Sequence, residues 1–157
     1  MYKFKFTQLL ILLFGVAFAD PNATDCAGVV GGNSYEDICG ECNDDPSDDC
    51  IADQSQTQTF YYFDSVTLND VSIEAGDYIL AFYDGVFIGG VEWAGINTIL
   101  PVMGLDDTPF TEGFIPAGET PDIVIYDSSA DEYISSLVET IPPFENNEIY
   151  ANLVLDI

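Results

Sequence analysis

In 157 residues the chain carries 28 Asp and Glu, no His and two basic residues, Lys3 and Lys5, for a formal charge of −26. Nucleic-acid binding rests on cationic side chains displacing counterions from phosphates, so it is excluded, and attachment to anionic membranes is excluded with it. Without His or an internal Lys there is no Ser-His-Asp triad, Cys-His pair, Schiff-base lysine or His-ligated zinc. The enzymatic chemistry left open is that of carboxylate pairs or carboxylate-held metals.

Residues 1–19 read as a secretory signal. Lys3 and Lys5 form a basic start, Leu9 to Phe18 is apolar, and Ala17-Phe18-Ala19 supplies the small residues of a cleavage site. Removing it takes both lysines away, makes Asp20 the first residue and moves the formal charge to −28. Export to an oxidising compartment suits the four cysteines that follow.

Residues 20–52 form a small, acidic, cysteine-rich segment in which Cys26, Cys39, Cys42 and Cys50 are spaced C-x12-C-x2-C-x7-C. A Cys39–Cys42 bridge would close a strained ring, so two pairings stay open: Cys26–Cys39 with Cys42–Cys50, or the interleaved Cys26–Cys42 with Cys39–Cys50. Two bridges would compensate for a core too small to fold alone. Zinc on four thiolates is the competing reading, but a second CxxC is missing. Inside the Cys42–Cys50 loop, Asp44, Asp45, Asp48 and Asp49 place four carboxylates close together, and a disulfide-closed acidic loop suits calcium, which takes six to eight oxygen ligands. Asp106-Asp107, Asp77 and Asp84 are weaker metal candidates at turns.

The polar stretch 53–59 reads as a linker, and residues 60–157 as one domain. No amphipathic helix is evident there. Short strand-like runs follow one another instead: Phe60 to Leu68, Tyr78 to Tyr83, Val86 to Trp93, Thr98 to Met103, Asp122 to Tyr126, Tyr133 to Val138 and Ile149 to Leu155. Asp84-Gly85 predicts a type I′ hairpin turn, with further turns at Gly76-Asp77, Gly118-Glu119, Asp127-Ser128-Ser129 and Asn146-Asn147. The fold class expected is all-β: an antiparallel β-sandwich preceded by a small disulfide-stapled irregular segment, with a closed barrel as the alternative. Ile73-Glu-Ala-Gly-Asp77 and Ile115-Pro-Ala-Gly-Glu119 each lead into an apolar strand ending at Asp, which suggests two similar hairpins on opposite sheets, or convergence on common turn chemistry.

The run Asp25-Cys-Ala-Gly-Val-Val-Gly-Gly through Asp37-Ile-Cys-Gly-Glu-Cys42 to Cys50 resembles a cysteine-rich repeat, DCAGVxGG…DxCGxC…C, of secreted and surface proteins from marine microbes and their viruses. The resemblance implies an extracellular spacer or stalk, here in a single copy. Ile73 to Trp93, with Pro101-Val-Met-Gly104 and Ile123-Val-Ile-Tyr-Asp127, looks like β-sandwich modules of microbial surface proteins that carry a GDxIGAF strand pair beside adhesion or sorting domains.

Together these features lead to a secreted or cell-surface, non-enzymatic adhesion or assembly module associated with calcium. Surface glycans, other surface proteins or the chain itself are the expected partners. A carbohydrate-binding or carboxylate-based glycoside-active protein is the alternative, with Trp93, Tyr61, Tyr62, Tyr83 and Tyr133 available to stack on sugar rings. A fibre subunit is a further one, because Ile149 to Ile157 could complete a neighbour's sheet. Two outcomes follow from charge alone. From Asp20 onward the unfolded chain should resist trypsin, checked by mass spectrometry of a digest. Its melting temperature should rise from low to molar salt as like charges are screened, checked by calorimetry.

Overall fold

In the computed structural model, which describes residues 23–44, 50–135 and 141–157, all regular structure other than one short 3-10 turn is β. The signal reading of residues 1–19 lies outside the described residues.

Two four-stranded sheets face each other. The first is built on β3 (Gln58–Leu68), in which apolar and polar residues alternate so that Thr59, Tyr61, Phe63 and Val66 are buried. On one side β3 pairs antiparallel with β7 (Thr98–Met103) and, beyond a two-residue turn, with β4 (Val71–Ser72). Both turn residues, Asn69 and Asp70, have positive φ (51° and 66°), as a tight hairpin of matching twist requires. On the other side lies β10 (Ile149–Asp156).

The second sheet has the order β6-β5-β8-β9, from Val86–Glu92, Tyr78–Tyr83, Asp122–Asp127 and Glu132–Ser135, and all its pairs are antiparallel. The Asp84-Gly85 turn has φ of 48° and 81°, as the I′ reading requires.

The sandwich departs from the expectation in two respects. The β10–β3 pair is parallel, because β10 arrives from the opposite sheet and no hairpin sets its direction. The two similar segments ending at Asp84 and Asp127 are hydrogen-bonded neighbours, β5 and β8, in one sheet rather than on opposite sheets.

Register assigns the faces of the second sheet. Ile79, Ala81, Ile123 and Ile125 stand opposite one another across β5 and β8 and join Tyr61, Phe63, Leu100, Val102 and Leu155 in the core. Leu80, Phe82 and Val124 then point outward, yet Leu80 is fully buried. A third layer covers them, made by the cysteine-bearing segment. Its small hairpin, β1 (Tyr35–Glu36) and β2 (Cys42–Asn43), presents its loop to Phe82 and Tyr133. Cys50 sits over Gly90, where an added Cβ would lie 3.1 Å from the Cys50 carbonyl oxygen. The pairing is the interleaved one, Cys26–Cys42 and Cys39–Cys50, and the second bridge is buried in the apolar cluster.

The stretch 53–59, expected as a linker, is stitched to the first sheet. Gln58 and Thr59 already belong to β3, and the Gly104 amide donates to the Thr57 carbonyl (2.8 Å). Ser55 Oγ donates to the Gly104 carbonyl (2.6 Å). Asp106 closes the clasp: one oxygen accepts the Gln56 amide (2.8 Å), and the other accepts the Thr108 amide (2.7 Å) and the hydroxyls of Thr108 and Thr111. These donors, led by the Thr108 hydroxyl, hold the Asp106 carboxyl well below the usual carboxylate range.

Two outcomes test this architecture. A Cβ at Gly89 would lie 2.1 Å from the Pro101 carbonyl oxygen, so Gly89→Ala forces β6 away from β7 and should cost about 1–3 kcal/mol in denaturant unfolding. The low folded-state pKa of Asp106 means that its stabilisation is present at neutral pH and is lost as pH falls through that value. The melting-temperature gap between the native chain and Asp106→Asn should therefore be widest near neutrality and close in acid, and an equal gap at every pH would contradict this.

Candidate functional site

Of the predicted calcium ligands, Asp44 is described and exposed just after β2, whereas Asp45, Asp48 and Asp49 lie outside the described residues. Among the described residues no three acidic or cysteine side chains converge as a metal-ligand group. The weaker candidates are turn builders. Asp77, nearly buried, accepts the Glu74 amide (2.8 Å) on one oxygen and the Ser128 amide (3.0 Å) and hydroxyl on the other, tying the turn before β5 to the turn after β8. Asp84 sits in the I′ turn, and Asp106 closes the clasp just described.

The sugar-stacking candidates divide. Tyr61 is fully buried and donates from its hydroxyl to the Pro142 carbonyl (3.1 Å), and burial, then the neighbouring Tyr150 and Glu145, push its phenol pKa upward. Trp93 is 8% exposed and belongs to the same cluster. Neither can meet a sugar ring in this fold. Tyr62 and Tyr83 are half-buried. Tyr133 is the open one, 55% exposed, with its ring 5.0 Å from that of Tyr126 on the outer face of the second sheet.

Among the described residues two clefts carry carboxylates. One, of about 300 Å³, is walled by Ile73, Glu74, Asp77, Asp127 and Ser129. Asp77 and Asp127 are engaged in turns: Asp127 Oδ1 accepts the Ser129 amide and hydroxyl and the Ala130 amide, led by the hydroxyl, and these hold its carboxyl below the usual range. The other, of about 370 Å³, lies where the β1–β2 loop meets the second sheet and is walled by Glu36, Asp37, Gly40, Phe82 and Tyr133. Partial burial, then the fields of Asp131, Asp37 and Glu36, raise the Tyr133 phenol pKa. Asp37 was missed by sequence reasoning, which weighed acids in runs and acids beside predicted turns. The signal available was its place in Asp37-x-Cys39-x-Glu41, beside a cysteine whose bridge becomes buried.

The third feature is an edge. Among the described residues β10 pairs only with β3, and along it Ile149 and Val154 are 57% and 61% exposed. The strand expected to complete a neighbour's sheet thus completes the chain's own, with its outer side open. A bulge between Tyr150 and Leu153, where Asn152 has φ of 58°, interrupts the ladder and twists the edge. Among the described residues no helix is long and apolar enough to cross a membrane. No known protein family, curated protein or solved structure matches this chain.

Proposed function

We propose that this chain is a secreted or cell-surface, non-enzymatic adhesion or assembly module whose contacts depend on cations. The observation that carries the reading is the outer edge of β10, unpaired among the described residues, with Ile149 and Val154 exposed along it. An unpaired edge offers main-chain donors and acceptors to a further strand, and folded proteins usually blunt such edges with charge, bulges or cover. Here the β10–β3 register shifts twice, between Tyr150 and Leu153 and between Leu153 and Val154, and the remaining guard is the negative field of the whole molecule. That field is weakened by salt and by divalent ions, so strand-edge contact becomes conditional on the ionic medium. The sealing of Tyr61 and Trp93 in the core favours this reading over a stacked-aromatic sugar platform.

Sedimentation velocity over a range of protein concentrations tests it. Monomer is expected at low ionic strength, and concentration-dependent association in salt or millimolar calcium. Val154→Asp should abolish the association while changing stability by less than about 0.5 kcal/mol, as befits an exposed position. A protein that stays monomeric in every medium and binds immobilised glycans would sink the reading in favour of the sugar-binding alternative.

A further inference from the structure

We propose that Asp37, in the docked loop of the β1–β2 hairpin, is the inner ligand of a calcium site that clips the cysteine-bearing layer to the outer face of the second sheet. The residue is 8% exposed, and its two carboxylate oxygens are used unequally. Oδ1 accepts the amides of Cys39 (2.8 Å) and Glu41 (2.9 Å). Oδ2 is withdrawn from solvent and has no hydrogen-bond partner among the described residues. A buried carboxylate oxygen without donor or counter-charge is costly, and folded proteins hold such groups in pairs or on metals. Among the described residues no side chain supplies the counter-charge, because no Lys, Arg or His occurs after Lys5. A cation from solution supplies both the charge and the contact.

The surroundings suit a hard, oxygen-seeking ion. Asp37 shares its cleft with the exposed Glu36 and with Tyr133, and the space of about 370 Å³ accommodates waters that complete a calcium shell. Glu36 and Asp37 both line this cleft, so negative potential gathers there. An irregular, partly hydrated site of this kind favours calcium over magnesium, which demands near-ideal octahedral geometry and gives up water reluctantly. The site shares no residue with the β10 edge. Ion binding and assembly are therefore read by different measurements, and either can fail without the other.

Titration of the oxidised protein with Tb³⁺, followed by displacement with Ca²⁺ over a magnesium background, tests the assignment. Tb³⁺ emits when a nearby tyrosine is excited, so an ion in this cleft reports through Tyr133. One calcium-selective event is expected, with Kd on the order of 10⁻⁴ to 10⁻³ M, as in extracellular calcium modules. Asp37→Asn keeps an acceptor for the two loop amides and should weaken binding at least about tenfold, whereas Asp44→Asn should leave it unchanged. Native affinity in Asp37→Asn, or equal displacement by calcium and magnesium in the native chain, overturns the site. Should Asp37→Asn fail to form its disulfides, Tyr133→Phe and Glu36→Gln carry the test at exposed positions. Tyr133→Phe should lose at least about half of the sensitised emission and Glu36→Gln should bind calcium several-fold more weakly, and full emission or unchanged affinity overturns the site equally.

Discussion

Carboxylates held by main-chain amides and hydroxyls, in place of cationic side chains, are the interaction on which this structure depends. Asp25 accepts the amides of Val29 and Ser34, Asp77 those of Glu74 and Ser128, Asp127 those of Ser129 and Ala130, and Asp106 those of Gln56 and Thr108. A charge-assisted bond to an amide is worth more than a neutral one and costs no long flexible side chain. It also fixes a turn at the point where it forms. The acidity of the chain is in this sense structural: several of its aspartates fasten loops, and Asp77 and Asp106 each fasten two stretches that are distant in sequence.

Against that pattern Asp37 stands out. It has the same local role as the others, since its Oδ1 closes the β1–β2 loop. It differs in being pressed under a neighbouring layer, so its second oxygen is removed from water without gaining a donor. The cost arises from the docking of the third layer. That docking is held by the buried Cys39–Cys50 bridge and by the close approach of Cys50 to Gly90, a position where a side chain would keep the two layers apart.

The strands were legible because half-buried sheet residues alternate. Tyr78–Tyr83 and Thr98–Met103 match their sequence-based limits, and Gln58–Leu68 exceeds its own by two residues at the start. Asp84-Gly85 was legible because few residues other than Asp, Asn and Gly tolerate two successive positive φ values. Asn69-Asp70 uses the same chemistry without a glycine and was passed over. The site was much less legible. Tyr61 and Trp93 have the composition of a binding platform but the burial of core residues, and strand alternation alone does not say which face is covered.

The sequence by itself determined the all-β class, the main strands, the lack of any Lys, Arg or His after Lys5 and the short choice of disulfide pairings. Each of these depends on residue type and near-neighbour spacing. Only the tertiary structure decided between the two pairings, set β10 parallel to β3 and placed β5 beside β8. It alone laid the cysteine-bearing segment over Leu80 and Phe82 and left one oxygen of Asp37 without a partner among the described residues. These follow from contacts between residues far apart in the chain, whose formation depends on how whole layers pack and not on any local pattern.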